Sequence, residues 1–156
     1  MTSAIQPPGL KAGDYESTSP EQTEAFAERL GRDLRPGDRV ELLGTLGSGK
    51  TTFVRGLARG LGLDPNSVHS PTFTRVHRYR GEITLVHADL YRVDSDSQYE
   101  ELGLEAEEEA SSVFVIEWGE RLPPDSPPAT LCIEIEITGD LTRKLRVSRG
   151  PTAPDR

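Results

Sequence analysis

Apolar positions recur with two different periods along the chain, and the order of these periods predicts a mixed α/β fold. From Phe26 onward, an apolar residue recurs every fourth position in the segment 19–34, which is typical of a helix with one buried stripe. The stripe consists of Phe26, Leu30 and Leu34. Ser19 can cap this helix, since its hydroxyl can accept a backbone N–H of the first turn.

Short apolar runs predict the strands. "RVELL" at 39–43 is one, and a second helix is expected soon after it, over 50–61. The segment 72–89 predicts a hairpin around "YRGE". The run "VFVIEW" at 113–118 is apolar almost throughout, which favours a central strand buried on both faces.

Two polar segments complete the pattern. Residues 130–147 alternate apolar and polar side chains, which predicts a hairpin with one solvated face, where Arg143, Lys144 or Arg146 could pair with glutamates. The acidic stretch Glu105–Glu109 is expected to be a solvated helical face.

These elements predict one domain with a mostly parallel central sheet flanked by helices, and antiparallel hairpin strands at its edge. We expect the domain to span 17–148. Residues 1–16 lack periodicity and predict a flexible arm, and 149–156 predict a flexible tail.

Composition narrows the class of protein. The chain has 156 residues and a net charge of −8. Binding to nucleic acid phosphates needs a basic surface, so we expect neither DNA binding nor direct RNA binding by this chain alone. Cys132 is the single cysteine, which fits a reducing compartment. No apolar run approaches the roughly 20 residues of a membrane span. We therefore expect a cytoplasmic protein without membrane contact.

The stretch "GTLGSGKT", Gly44 to Thr51, fits the phosphate-loop pattern G-x-x-x-x-G-K-[ST] between a predicted strand and a predicted helix. Glycines let successive backbone N–H groups point inward at an anion, and the helix adds its positive amino end. Lys50 would then reach the β- and γ-phosphates, and the Thr51 hydroxyl would ligate Mg²⁺. The motif makes the predicted fold a P-loop NTPase-type domain.

Carboxylates at strand ends are the candidate magnesium-side groups. Asp89 follows the apolar run "ITLVHA", which is the Walker B layout, although many strands end in Asp. Glu117 follows "VFVI" and could hold a magnesium-bound water or orient the attacking water. The alternative for Glu117 is a surface glutamate at a strand end.

Two further residues are candidates with open alternatives. Trp118 could lie near the nucleotide or a partner, or simply pack in a core or interface. Thr72 lies between the P-loop helix and the Asp89 strand, where GTPase-type proteins keep a γ-phosphate-sensing switch. Its alternative is an ordinary strand-start residue.

The absence of certain motifs favours ATP as the nucleotide and favours ATP hydrolysis that is coupled to a partner protein. The guanine reader N-K-x-D is missing, since Asn66 is the sole asparagine and Ser67 follows it. A small-molecule kinase using ATP as phosphoryl donor is the alternative, but the segment 95–112 is acidic and does not resemble an arginine-bearing lid. A non-catalytic adaptor shaped by bound nucleotide is a third possibility.

Four motifs together resemble one known family. "LLGTLGSGKTTFVRGLARGLG", "SPTF", "HADLYR" and "IEWGER" occur in the order and spacing of the bacterial tRNA threonylcarbamoyladenosine biosynthesis ATPase family TsaE, formerly YjeE. The resemblance covers about Ser17 to Val147. It implies a small P-loop fold that binds and slowly hydrolyses ATP while attached to a TsaB–TsaD pair, which modifies the adenosine beside the tRNA anticodon.

The resemblance also implies site residues. Nucleotide contacts are expected from the loop, and magnesium is expected near Thr51, held also by Asp89 and Glu117. The resemblance further implies that hydrolysis requires Asp89 and Glu117, and that Trp118 lies in a functional segment. The loop contacts are Leu46, Gly47, Ser48, Gly49, Lys50, Thr51 and Thr52.

Two positions depart from the family pattern. Thr45 stands where the family usually has Asp, so water positioning or partner docking could differ. Gly119 replaces the usual proline after "IEW", which should loosen that loop.

Overall fold

One seven-stranded sheet organises the part of the chain that the computed structural model describes, residues 12–45, 47–69, 75–107 and 109–150. The strands are β1 (Gly13–Ser17), β2 (Arg39–Leu43), β3 (Val76–Tyr79), β4 (Thr84–Asp89), β5 (Ser112–Glu117), β6 (Leu131–Ile137) and β7 (Arg143–Arg149). The helices are α1 (Pro20–Asp33), α2 (Lys50–Gly60) and α3 (Asp96–Glu101), joined by short 3-10 turns.

The strand order is β1-β7-β6-β2-β5-β4-β3. The central strands β6, β2, β5 and β4 run parallel to their neighbours in that group. At the two edges, β3 pairs with β4, β7 with β6, and β1 with β7, all antiparallel. The predicted fold class, a mostly parallel sheet with antiparallel edge strands and flanking helices, is confirmed.

The main core lies between the sheet and the helix pair α1 and α2. The predicted stripe on α1 is buried there, with Phe26, Leu30 and Leu34 no more than 4% exposed. Ser19 caps α1 as expected, because its side chain accepts the backbone N–H of Gln22 at 3.1 Å. A smaller cluster on the opposite face packs the α3 segment over β4 and β5.

Glycines allow α1 and α2 to cross closely. A Cβ added at Gly56 would lie 2.3 Å from the carbonyl oxygen of Glu24, and one at Gly60 would lie 2.2 Å from that of Glu28. Gly31 approaches α2 in the same way, since its Cβ would lie 2.7 Å from the carbonyl oxygen of Leu57. The position of α2, and of the loop before it, therefore depends on residues without side chains.

The expected amino-terminal arm is wrong for residues 13–16, which belong to β1. Tyr15 lies opposite Leu145 in the register with β7, and its ring packs 5.3 Å from that of Phe26. The partner of this strand lies about 130 positions away in sequence, so local composition could not reveal the pairing. At the other end, Arg149 is the last residue of β7 and does not begin a tail.

The solvated helical face expected over Glu105–Glu109 is wrong for Glu107. α3 ends at Glu101, and the carboxylate of Glu107 is bonded to the guanidinium groups of Arg78 and Arg80. Burial acts to raise the pKa of Glu107, but the hydrogen bonds and charges of these arginines lower it, and the net pKa lies below its ordinary value. This carboxylate fastens the α3 segment to the edge hairpin.

The last hairpin carries the predicted charge pairing on its solvated face. Arg146 lies 3.1 Å from Glu134 and 3.3 Å from Asp14, so it joins three strands. None of the helices within the described ranges is long and apolar enough to cross a lipid bilayer.

The close crossing of α1 and α2 makes a stability prediction. Gly56→Ala should lower the free energy of unfolding by about 1–3 kcal/mol, because the new methyl group collides with backbone. In an open helix the same change would instead stabilise by about 1 kcal/mol. Urea unfolding measures the difference. Ala25→Gly, at an exposed position of α1, is the propensity control, and an unchanged or more stable Gly56→Ala protein would contradict the packing argument.

Candidate functional site

The phosphate loop connects β2 to α2 at the carboxyl edge of the parallel strands. Gly47 has φ +81° and Gly49 has φ +107°, a left-handed region that residues with a Cβ adopt at a cost. The amide of Ser48 donates to the carbonyl oxygen of Thr45 at 3.0 Å, and α2 begins at Lys50. The backbone thus has the shape of an anion-binding nest ahead of a helix amino end. Leu46 lies outside the described residues.

Arg143, the first residue of β7, contacts the backbone of this loop. Its guanidinium donates to the carbonyl oxygen of Ser48 at 2.8 Å and to that of Gly47 at 3.3 Å, and also to that of Gly139 at 2.9 Å. Of the three candidates for pairing with the strand glutamates, Arg146 forms the pair, with Glu134, whereas Arg143 contacts the loop instead. The reason is register: Arg143 lies opposite Ile137 at the strand end nearest the loop.

Glu117, at the end of β5, is the most buried carboxylate of the site, at 5% exposure. One carboxylate oxygen, Oε1, lies 2.9 Å from the Lys50 ammonium, and the other, Oε2, lies 2.7 Å from Nε2 of His87. His87 itself is 1% exposed. The carboxylate thus connects the phosphate-loop lysine to β4 through two short polar contacts.

His87 contacts Glu117 through one of its two ring nitrogens. Nδ1 is buried and has no partner among the described residues, whereas Nε2 donates to the Glu117 carboxylate, which can only accept when it is ionised. Burial acts to raise the pKa of Glu117, but the His87 hydrogen bond and the Lys50 ammonium lower it, and the net pKa lies below its ordinary value. Glu117 is therefore an anion at neutral pH.

Asp89 lies directly beside Glu117, as its register partner across the parallel β4–β5 pair. Its Oδ1 accepts the backbone N–H of Tyr91 at 3.0 Å, and its own N–H donates to the carbonyl oxygen of Arg75 at 2.7 Å. Two carboxylates at adjacent strand ends, beside a lysine and a glycine-rich loop, form a compact polar floor.

A cavity of about 580 Å³ opens above this floor. Its charged lining side chains are three cations, Lys50, Arg75 and Arg92, and two carboxylates, Asp89 and Glu117. The cavity is therefore net positive in a chain whose net charge is −8. A concave site of this charge and size suits a small polyanion.

Aromatic side chains form one wall of the cavity. Trp118 is 39% exposed and Tyr91 53% exposed, with ring centroids 5.0 Å apart. The Arg121 guanidinium lies 5.7 Å from the Trp118 ring and 6.0 Å from the Tyr91 ring. Trp118 has φ +60°, which turns its side chain toward this wall. Trp118 is therefore not a buried core residue, and its role near the nucleotide, a partner or an interface stays a prediction.

The structure brings most of the predicted site residues together, although their roles stay predictions. The predicted residues that line the cavity are Gly47, Gly49, Lys50, Thr51, Thr52, Asp89, Glu117 and Trp118. Ser48 is fully buried, and its hydroxyl has no partner among the described residues. Thr45, the first departure from the family pattern, also lines the cavity. Thr72 lies outside the described residues.

Sequence reasoning missed several residues that contact the site, including Arg75, which lines the cavity. His87, Tyr91 and Arg92 flank Asp89 closely in sequence, so the "HADLYR" motif could have drawn attention to them. Arg143 carried no local signal, because only the β6–β7 register brings it to the loop.

Two residues near Glu41 have structural explanations. A Cβ at Gly119 would lie 2.1 Å from Oε1 of Glu41, so glycine leaves room for that carboxylate; the expected loosening of the loop stays a prediction. Burial, with the hydrogen bond to Glu41 and its charge, raises the pKa of Cys132 to about 11. Cys132 is therefore a thiol and not a nucleophile at neutral pH.

Comparison with known proteins identifies a family. The family model described as "Threonylcarbamoyl adenosine biosynthesis protein TsaE" matches residues 17–145. Proteins named tRNA threonylcarbamoyladenosine biosynthesis protein TsaE are similar to this chain. The Treponema pallidum protein is 39% identical over 132 residues, covering 85% of this chain and 97% of that protein. The Streptomyces coelicolor protein is 48% identical over 126 residues, covering 78% and 84%.

A solved structure agrees with this family. The crystal structure of Bacillus subtilis YdiB superposes with a TM-score of 0.65 at 29% sequence identity, covering 95% of this chain and 88% of that one. The structural similarity therefore extends over nearly the whole chain.

The His87 contact predicts the titration of Glu117. His87→Leu should raise the Glu117 pKa, because it removes the hydrogen bond that favours the ionised carboxylate. Carbon-13 NMR of the labelled carboxyl group across a pH series measures this. The pKa of Glu117 in the folded protein lies below its ordinary value, so ionised Glu117 stabilises the fold, and this stabilisation is lost as pH falls through the folded pKa. In His87→Leu the stabilisation is smaller from the start, so the loss of stability on acidification should be smaller. His69→Gln, at an exposed histidine, is the control. An unshifted Glu117 pKa in His87→Leu would refute the assignment.

The Arg143 contacts predict how rigid the phosphate loop is. Arg143→Ala should speed amide hydrogen exchange over residues 47–49 about tenfold, corresponding to about 1.4 kcal/mol for the lost carbonyl contacts. Arg146→Ala is the matched control, because Arg146 pairs with the exposed carboxylates of Asp14 and Glu134 and makes no hydrogen bond or ion pair to the loop among the described residues. Equal protection of the loop in both variants would show that Arg143 does not hold it.

Proposed function

The chain belongs to the TsaE family, which takes part in tRNA threonylcarbamoyladenosine biosynthesis, and on that premise we propose that it is the ATP-binding and hydrolysing component of that machinery, acting with a TsaB–TsaD-type complex in the cytoplasm. One observation carries the proposal: Lys50, Glu117 and Asp89 converge beneath a glycine-rich loop in a positive cavity. This is the arrangement that P-loop proteins use for a nucleoside triphosphate.

The loop and Lys50 would bind the phosphates. The Lys50 ammonium lies 2.9 Å from Glu117, so a cation lies at the base of the cavity. An incoming triphosphate offers several anionic oxygens to this ammonium, together with the loop amides and the amino end of α2. The absence of an N-K-x-D guanine reader in the sequence favours ATP over GTP.

The donor set fits magnesium. No cluster of three or more His, Cys, Asp or Glu side chains able to hold a metal occurs in the described parts of the chain. Mg²⁺ does not need one, because it is usually held by one or two carboxylates, a hydroxyl, water and the substrate phosphates. Thr51 and Asp89 would bind the ion, with Glu117 directly or through water. When bound, the ion neutralises phosphate oxygens during hydrolysis.

Glu117 is suited to orient the attacking water. It is ionised at neutral pH and buried, and its two oxygens are fixed in place by Lys50 and His87. Once Lys50 turns to the phosphates, Oε1 is left as a hydrogen-bond acceptor at the cavity floor. An acceptor held by a second contact can position a water without becoming mobile itself.

Exposed apolar side chains support a partner at the same edge. Five large hydrophobic residues in the described structure are exposed, and all lie at the carboxyl ends of the parallel strands or in the adjoining β6–β7 turn. They are Leu43, Tyr91, Trp118, Ile137 and Leu141. A patch of this kind beside a site is typical of a protein interface. The net charge of −8 fits contact with tRNA only through the partners.

The proposal predicts partner-dependent hydrolysis that requires Lys50. Adding TsaB–TsaD-type proteins should increase phosphate release from ATP by about tenfold or more, a modest share of what a partner can supply to a P-loop enzyme. Lys50→Ala should lower the partner-stimulated rate of ATP hydrolysis about 100-fold, as expected for the loss of one charge-stabilising donor. Lys144→Ala, on the solvated sheet face, is the matched control.

Three outcomes would count against the proposal. Phosphate recovered on an added nucleoside or metabolite would indicate a kinase. Hydrolysis that is equal with and without partners would refute partner dependence. tRNA modification that persists when hydrolysis is abolished by Glu117→Ala, with ATP still bound, would indicate an adaptor.

A further inference from the structure

Arg75 has an unusual backbone for its residue type. Its φ is +66°, and among the described residues Trp118 is the one other non-glycine residue with positive φ. Both side chains line the same cavity. A residue with a Cβ in this region is strained, and such strain persists where the surrounding structure imposes it, often at functional sites. Here the carbonyl of Arg75 accepts the Asp89 amide at 2.7 Å, which ties the strained residue to the cavity floor.

The Arg75 guanidinium has no partner among the described residues. It is half-buried and lines the cavity, yet no ion pair or hydrogen bond joins it to any residue that the structure describes. Nearby arginines differ: Arg78 and Arg80 are bonded to Glu107, and Arg143 is bonded to the phosphate loop. A planar fork of N–H donors that faces a cavity is suited to phosphate oxygens.

Sheet order sets Arg75 opposite Lys50. Across the carboxyl edge the strands run β2, β5, β4, β3, and they present Lys50 after β2, Glu117 on β5, Asp89 on β4 and Arg75 before β3. A cation therefore lies at each end of a row that has two carboxylates in the middle. Arg92 also lines the cavity, but it is exposed and comes after Asp89 at the same strand end, so it does not lie at an end of this row.

We propose that Arg75 is a further catalytic residue, a cis-acting arginine that donates to the terminal phosphate oxygens of the bound nucleoside triphosphate. The inference rests on the proposed ATPase function. In the hydrolysis step the water oxygen bonds to the γ-phosphorus, and the bond from phosphorus to the bridging oxygen breaks. The electron pair of that bond leaves on ADP, and the protons of the water end on phosphate and solvent. Arg75 remains charged throughout and transfers no proton.

Arg75 would affect the rate of ATP hydrolysis more than the affinity for the nucleotide. Charge shifts toward the bridging and terminal oxygens as the bond breaks, so a fixed guanidinium stabilises the transition state more than the bound substrate. ADP lacks the terminal phosphate, so its affinity should depend little on Arg75.

Arg75→Gly separates the guanidinium from the backbone, because glycine adopts positive φ without strain. We expect kcat for ATP hydrolysis, measured with the partner proteins, to fall about 100-fold. The Kd for ADP, measured by calorimetry, should change less than about threefold, and ethylguanidine added to the assay should restore part of the rate. Arg80→Ala, at an exposed arginine bonded to Glu107, is the control. The midpoint of thermal unfolding verifies that each variant is folded.

The outcomes distinguish this inference from the function on which it rests. If the unmodified protein hydrolyses ATP and Arg75→Gly keeps a kcat within about threefold of it, the catalytic role is refuted while the proposed function stands. A variant that binds ADP and ATP equally weakly with unchanged kcat would also refute it, since uniform binding does not accelerate a reaction. If the unmodified protein neither binds nor hydrolyses ATP, both proposals fail.

Discussion

The site depends on a single buried carboxylate, Glu117. Without the Lys50 ammonium on one oxygen and the His87 N–H on the other, an ionised group at 5% exposure would be strongly disfavoured by loss of water. These contacts join the loop after β2, the strand β4 and the end of β5. The same interactions that make the buried charge tolerable therefore fix the relative positions of three elements of the site.

A second set of contacts controls the loop from the opposite side. Arg143 donates to the carbonyl oxygens of Ser48 and Gly47, and the glycine-mediated crossing of α1 and α2 sets where the helix begins. The edge hairpin of the sheet thus contributes to the phosphate site, although it lies on the far side of β2 from Asp89.

The distribution of exposed apolar residues relates the site to its proposed partner. The described exposed hydrophobic side chains lie at the carboxyl ends of the parallel strands and in the β6–β7 turn, and two of them, Tyr91 and Trp118, line the cavity. The solvated face of the last hairpin instead carries paired charges such as Arg146 and Glu134. A partner bound at this edge would cover the cavity and contact the β6–β7 turn, which directly precedes Arg143. Docking and nucleotide binding would then be coupled through shared contacts, which suits an ATPase whose rate depends on its partners.

The sequence by itself determined the periodic elements and the local motif. The α1 stripe, the buried β5 run, both hairpins and the spacing from Gly44 to Thr51 follow from side-chain periods and from backbone requirements that act within a few residues. Asp89 and Glu117 could be predicted as neighbours because parallel strands end at one edge.

Tertiary structure alone decided the rest. It paired β1 with β7, bonded Glu107 to two arginines, bound Arg143 to the loop and left the Arg75 guanidinium facing the cavity. Each of these depends on strand order and register between segments distant in sequence. A charged side chain can reach several partners with similar energy, so only the packed sheet selects which one it meets.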